Sequence, residues 1–425
     1  MNLLNDLQQR CHHALTGLVP DPAPYAAMVQ PAKDARFGDY QANCAMSLGK
    51  ALGKPPREVA KLLVERLRLD DLLEPPEIAG PGFINLRLRT DWLARQVGVT
   101  AKDDRLGVAP VAAPKTFVID YSSPNVAKPM HVGHIRSTII GDALARLLRF
   151  LGHTVVTDNH LGDWGTQFGM ILWGWKHHRD EQHYRDAPVQ ELARLYRLAQ
   201  TAIKAGDAAV DEDSRAETAK LHAGDPVNRA LWQEFMPHCL EALGKVYARL
   251  GVQFDEQRGE SAYDAELAGV VADLRARGLA VDSEGAVCIF VEGTPTPFLI
   301  QKSDGAFNYG TTDLATIHYR ERTHRPDAIL YVVDHRQAGH FKQLFAVARL
   351  WGYSKTTFEH VAFGTIMGPD KKPYKTREGD VVGLESLLDE AAARARQVVD
   401  ENSPELSAEE RRQVAEIVGL GAVKY

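Results

Sequence analysis

The sequence has few cysteines, no long apolar run and no surplus of positive charge, and each shortage excludes a class of protein. Its four cysteines, Cys11, Cys44, Cys239 and Cys288, are scattered without a Cys-x-x-Cys spacing, which argues against a disulfide framework and against a zinc cage. No apolar stretch approaches the roughly 18 residues of a membrane span. The start, Met-Asn-Leu-Leu-Asn-Asp, has neither the basic nor the apolar region of a signal peptide. Lys and Arg total 50 against 56 Asp and Glu, a net charge of -6. That balance predicts no general affinity for nucleic acid or for a membrane surface, although a net sum does not see a local basic groove. Internal repeats and low-complexity tracts are absent too. What remains is the expectation of a soluble, cytoplasmic chain without a structural metal. Its 425 residues suffice for two or three domains at about 150 residues each.

Residues 1–107 read as a small α+β domain. Helical spacing runs through Asn43 to Met46 and Val59 to Leu67, and Ile78 to Leu86 reads as a turn feeding a short strand. A Val/Ala/Pro linker at 108–114 leads into Thr116-Phe117-Val118-Ile119-Asp120-Tyr121, apolar and partly β-branched as a buried parallel strand is. A helix follows, with Ile135, Ile139, Leu144, Leu147, Leu148 and Leu151 at three-to-four spacing and Gly152 as its stop. Thr154 to Thr157 is the next strand. Strand, loop, helix, strand is a βαβ unit, so the spacing predicts an α/β fold with a parallel sheet at its centre.

Residues 176–250, rich in Ala, Arg, Glu and Leu, read as helices and make up most of an insertion at about 176–285. Strand-like pieces follow at Ala286 to Val291 and Pro297 to Gln301, with a turn at Ser303-Asp304-Gly305. Ala328 to Val333, a polar loop and a helix through Leu344, Val347, Ala348 and Trp351 form a second βα pair. Ser407-Ala408-Glu409-Glu410 is a capping-box pattern opening a helix through Val414, Ile417 and Val418. The sequence stops at Tyr425 without a terminator, and the expectation is a C-terminal helical region cut short.

The chemistry concentrates in Ser122-Ser123-Pro124-Asn125-Val126-Ala127-Lys128-Pro129-Met130-His131-Val132-Gly133-His134, between the first buried strand and its helix. Open α/β sheets bind nucleotides at such a place, and a helix N-terminus offers unpaired N–H groups to phosphate. Gly133 lets a flat base approach the backbone. His131 and His134 are placed to donate to phosphate oxygens as charge develops there, and Lys128 adds a full positive charge. The rival readings are two surface histidines or a metal pair; the second lacks a third ligand at a recognisable spacing.

These residues closely resemble the HIGH signature of class I aminoacyl-tRNA synthetases, in the form carried by the arginyl-tRNA synthetase family. Further blocks fit the same family in order: Arg36 to Asn43, Gly80 to Asn85, Asn159 to Gly169, Tyr309 to Ala315 and Asp334 to Phe341. The resemblance implies a Rossmann-like catalytic domain at 108–370 with a helical insertion, a tRNA-contacting N-terminal domain at 1–107, and a loop plus truncated helical region at 371–425. It implies the ATP-dependent activation of L-arginine to arginyl-adenylate and its transfer to tRNA(Arg), by a cytoplasmic monomer, with Mg2+ as the counter-ion of ATP. His131 and His134 then hold ATP, with Gly133 under the adenine.

The second ATP signature is represented by Met367 to Arg377, which departs from the KMSKS pattern. Lys375 is its candidate phosphate contact, with Lys128 compensating for the degenerate loop; the rival reading is a solvated basic loop. A guanidinium is planar, always charged and carries five donors, so its pocket requires carboxylates. The resemblance places Tyr309 and Asp313 at the guanidinium end, Asn125 and Gln337 against the substrate's amino-acid portion, and the acidic Asp120 in contact with the substrate. Asp313 has the alternative of pairing with Arg320 or Arg322. Phe83 and Asn85 alternate on one strand and share a face. The resemblance gives that strand to the tRNA elbow, where an aromatic ring and an amide read an extruded base; the alternative is a core ring and a capping amide. A missing anticodon-binding domain leads to the expectation of impaired charging. Two rival functions follow: a catalytically weak tRNA-binding fragment of a synthetase, and a nucleotidyltransferase that acts without tRNA.

Overall fold

The computed structural model describes residues 2–126, 128–367 and 383–425. Two compact units result, Met1–Pro110 and Val111–Tyr425. In the first, strands β1 (Val29–Pro31), β2 (Tyr40–Ala42), β3 (Glu77–Ala79) and β4 (Phe83–Leu86) form an antiparallel sheet in the order β1-β2-β4-β3. Helices Leu3–Leu15, Ala45–Leu52 and Pro56–Arg66 belong to the same unit, and its core includes Leu7, Leu15, Leu48, Leu63, Ile84 and Leu86.

The second unit contains β5 (Thr116–Asp120), β6 (Thr154–Asp158), β7 (Val281–Ser283), β8 (Ala286–Ile289), β9 (Phe298–Gln301), β10 (Ala328–Asp334) and β11 (Thr357–Phe363). Strands β7, β8 and β9 make a small antiparallel sheet. The other four are parallel, in the order β11-β10-β5-β6. The two central strands are apolar almost throughout because both of their faces are covered. Alternate residues serve opposite faces. Ile119, Leu330 and Val332 join a core with Ile135, Phe168, Ile171, Leu243 and Val246, whereas Val118, Ile329 and Tyr331 join another with Leu267, Leu314, Ile317, Leu344 and Val347. A period of two along the strands thus produces a three-layer α/β sandwich.

From β5 the chain passes through helix Val132–Phe150 to β6, on one side. From β10 it passes through helix Ala338–Trp351 to β11, on the other. The connections diverge between β5 and β10, and the crevice beyond the C-terminal ends of these two strands is where such a sheet takes a ligand. The helical series between the strands starts at Thr166, earlier than the composition shift at 176, and runs through helices Thr166–His178, Pro188–Lys204, Ala208–His222 and Pro226–Leu250. Tyr309–Thr323 is the helix that leads into β10, and Leu384–Asn402 packs with Ala408–Lys424 as a helical pair.

Candidate active site

The loop beyond β5 begins with a sharp turn that no glycine makes. Ser122 and Ser123 stand at φ 71° and 45°, in the left-handed region that L-residues avoid. Surrounding bonds hold them there. Ser122 N–H donates to Ser137 Oγ at 2.8 Å, and Ser122 Oγ shares hydrogen bonds of 2.8 Å with Thr138 Oγ1 and Tyr247 OH. Ser123 N–H donates to Asn159 Oδ1 at 3.0 Å, and its hydroxyl donates to Asp120 Oδ1 at 2.8 Å. The loop then runs beside the Asn159 block: Val126 N–H donates to Gly162 O at 3.1 Å and Gly162 N–H to Pro124 O at 3.0 Å, so that Asn125 bridges Gly162. Two separate sequence blocks form one platform.

His131 is the N-cap of helix Val132–Phe150. Its Nδ1 accepts the Gly133 N–H at 3.1 Å, and His134 Nδ1 accepts the His131 N–H at 3.1 Å. Both imidazoles spend Nδ1 as an acceptor, so each neutral ring carries its proton on Nε2. Neutrality is enforced. Burial, with Lys128 adding to it, lowers the pKa of His131. Burial, then the His131 charge, lowers that of His134 to about 3. The ring centroids are 4.0 Å apart. A Cβ on Gly133 would lie 2.8 Å from His131 Cε1, so glycine here leaves room for the cap ring as well as for a ligand. Lys128 has its ammonium 4.6 Å from the Tyr196 ring centroid, on the insertion side.

The segments on either side of residues 368–382 both rest on this element. Arg136 donates through Nη1 to Gly364 O just past β11, and Gly383 bridges His131 in an antiparallel pairing, with Leu384 N–H on Met130 O at 2.9 Å. Lys375 itself lies outside the described residues.

Asp313, on helix Tyr309–Thr323, pairs with neither Arg320 nor Arg322. His340 Nε2 stands 2.6 Å from Asp313 Oδ2, and the His340 ring lies 4.9 Å from Tyr309 and 5.8 Å from Phe298. Tyr309 is exposed at the helix start, and Gln337 is exposed in the short turn His335–Gln337 that follows β10. Arg320 is fully buried and reaches Asp120 Oδ2 and Asp158 Oδ2, each at 2.6 Å. It ties together the C-terminal ends of β5 and β6, where two carboxylates in register would otherwise repel. Asp120 therefore accepts one internal donor on each oxygen, from Ser123 and from Arg320.

Glu260 is an acidic residue that the sequence reading did not single out. Burial above all pushes its carboxyl above the usual range; Asp163 and Asp313 add to the rise, while His160 opposes it. Its only signal is the short run Gly259-Glu260-Ser261, which has no periodicity to read. Arg320 and Asp158 were equally invisible as partners. In the first unit, β4 carries Phe83 partly buried and Asn85 buried, with Asn85 Oδ1 accepting from Gln41 Nε2 at 2.8 Å.

Residues 99–425 match the family model of the class I (R) tRNA synthetase catalytic domain, and residues 4–88 that of the arginyl tRNA synthetase N-terminal domain. An arginine–tRNA ligase of Rhodopirellula baltica is 45% identical over 515 residues, spanning 100% of this chain and 77% of that protein. One from a Marinomonas species is 45% identical over 435 residues, spanning 100% of this chain and 75% of its own length. Among solved structures, arginyl-tRNA synthetase of Plasmodium falciparum superposes with a TM-score of 0.71 at 25% identity, covering 99% of this chain and 72% of that one. The fold is shared with the Thermus thermophilus enzyme, at a TM-score of 0.71 and 23% identity over 99% of this chain and 74% of the other. With a catalytic-domain match over most of its length, the chain belongs to the arginyl-tRNA synthetases, the class I family of arginine–tRNA ligases.

Proposed function

We propose that this chain activates L-arginine with ATP and passes the arginyl group to tRNA(Arg), using the crevice beyond β5 and β10. The observation that carries the reading is the pair of neutral imidazoles on the N-terminus of helix Val132–Phe150, each with Nδ1 bound to backbone and Nε2–H left to donate. The attacking carboxylate of arginine is already ionised, so the first step needs no general base. It needs the α-phosphate held in line and the charge on the departing pyrophosphate met by donors. His131 and His134 supply these without adding a fixed charge that would retain the product. Gly133 leaves space for the adenine, and Lys128 and Lys375 supply positive charge toward the phosphates. Mg2+ would accompany ATP as its counter-ion.

At the other end Asp313 and Glu260, with Tyr309 beside them, receive the guanidinium. Asn125, Gln337 and Asp120 meet the amino-acid portion, Asp120 through the lone pairs that Ser123 and Arg320 leave over. Phe83 and Asn85 on β4 offer a ring and an amide to an extruded tRNA base. Domain boundaries near 107 and 370 go with this division of labour. The expected setting is the cytoplasm, with the chain as a monomer, as the family resemblance implies. The test is arginine-dependent ATP–pyrophosphate exchange, run with and without tRNA(Arg). Exchange with tRNA is the expected result. Failure of the chain to bind both ATP and arginine by calorimetry would overturn the reading in favour of a tRNA-binding protein without catalysis. Equal exchange with and without tRNA would favour a nucleotidyltransferase.

A further inference from the structure

Glu260 sits on a stretch with little structure of its own, a four-residue turn Glu260–Tyr263 entered through Gly259. What holds the stretch is Asp163. Its Oδ1 accepts the Ser261 N–H at 2.9 Å and its Oδ2 accepts the Ser261 hydroxyl at 2.6 Å. Glu260 N–H donates to Leu161 O, two residues before Asp163, at 3.0 Å. The backbone of Gly259 passes so close that a Cβ there would lie 2.2 Å from Asp163 Oδ2, which excludes any side chain.

Asp163 is itself fixed. It is 4% exposed, and its carbonyl accepts the Trp232 indole N–H at 2.9 Å. The neighbouring Trp164 donates to Asp264 Oδ1 at 3.0 Å, and its carbonyl lies 2.7 Å from His222 Nε2. A buried carboxylate without a cation is expensive, and burial does push the Asp163 carboxyl up. Asp163 forms no ion pair among the described residues: both of its side-chain bonds go to Ser261, with His160 the charged neighbour that opposes the upward shift. A turn alone is capped more cheaply by a neutral side chain, so the charge asks for a reason.

We propose that Asp163 is a positioning residue for arginine selection: through Ser261 and Gly259 it fixes the Glu260 carboxylate opposite Asp313, and its own charge deepens the negative field that a guanidinium enters. This inference rests on the reading of Glu260 and Asp313 as the guanidinium end. A guanidinium rewards carboxylates at a set spacing, because its donors form a rigid fork. Freeing Glu260 by one rotamer or a small backbone shift therefore weakens arginine more than it weakens ATP.

The test is calorimetric binding of L-arginine and of ATP to the full chain, with thermal melting as the control for folding. Glu260→Gln is expected to weaken arginine about a hundredfold. Ser261→Ala is expected to weaken it roughly tenfold and to leave ATP affinity unchanged. Adding Ser261→Ala to Glu260→Gln should then cost nothing further, because the serine acts through the glutamate. Asp163→Asn keeps the shape and the bond from the Ser261 N–H, turns the second into an amide N–H donated to Ser261 Oγ, and removes the charge. His160, Asp163 and Asp313 are the charged groups that act on Glu260, so the acid limb of arginine binding should move to lower pH in that variant. A merely structural role would not move it. Additive losses in the double variant, equal weakening of ATP and arginine by Ser261→Ala, or an unmoved acid limb would each overturn the proposal. Unchanged arginine affinity in Glu260→Gln would overturn the pocket reading itself, whatever Ser261→Ala does.

Discussion

On the proposed assignment of ATP to one end of the crevice and arginine to the other, the two ends are built on different principles. At the nucleotide end the donors are neutral and are aimed by backbone bonds within four consecutive residues, His131 to His134. At the amino-acid end the groups are charged and are aimed by side chains from separate elements: His340 on Asp313, and Ser261, held by Asp163, next to Glu260. The difference follows the ligands. A triphosphate changes its charge distribution during reaction, so preorganised neutral donors suit it. A guanidinium keeps its charge throughout, so fixed carboxylates suit it. The nucleotide end should consequently be sensitive in rate, and the amino-acid end in affinity.

The strongest way to break that contrast is His134→Ala, which should reduce tRNA-supported ATP–pyrophosphate exchange on the order of a thousandfold. Near-normal exchange in this variant would remove His134 from the site. His134→Asn sharpens the point, since its Oδ1 is placed to take the His131 N–H; it should recover thermal stability but not rate. Asp313→Asn should instead raise the dissociation constant for arginine about a hundredfold while leaving that for ATP within about twofold, measured by calorimetry. Gly133→Ala pushes a methyl group against the His131 ring and should raise the KM for ATP roughly tenfold, because the ring is an end that swings aside only by giving up its cap.

A smaller effect tests neutrality. The His134 imidazole titrates near its ordinary 6.5 when unfolded and near about 3 when folded, so between those values the unfolded chain holds the extra proton. Stability should therefore rise with pH across this window and level off above it. Denaturant midpoints between pH 4 and 7 measure the slope, which His134→Asn should reduce. The least effect is expected in the first unit, where Phe83→Ala should weaken tRNA binding a few-fold in a filter assay, with little change in melting temperature.

Legibility tracks sequence distance. The HxGH loop and its helix could be read because cap, glycine and apolar spacing are all local; so could β5 and β10, whose unbroken apolar character follows from burial on both faces. Asp313 was singled out only by resemblance, and its partner was not foreseen: the two arginines nearest in sequence were the obvious candidates, and His340 took the place. Arg320 meets Asp120 across 200 residues and Asp158 across 162, separations at which no spacing rule operates. Left-handed Ser122 and Ser123 were hidden for another reason. Serine has no intrinsic preference for that conformation, and only the bonds from Ser137, Thr138, Asn159 and Tyr247 make it tolerable.

By itself, then, the order of residues determined the βαβ frame and the capped helix with its HxGH donors, because hydrogen bonds and apolar periods within a few residues decide these. Only the tertiary structure decided which internal partners each of these carboxylates has. Asp120 is bound to Arg320, whereas the neighbour of Glu260, Ser261, is clamped by Asp163. A carboxylate's role depends on what surrounds it at a few ångströms, and those neighbours arrive from everywhere in the chain.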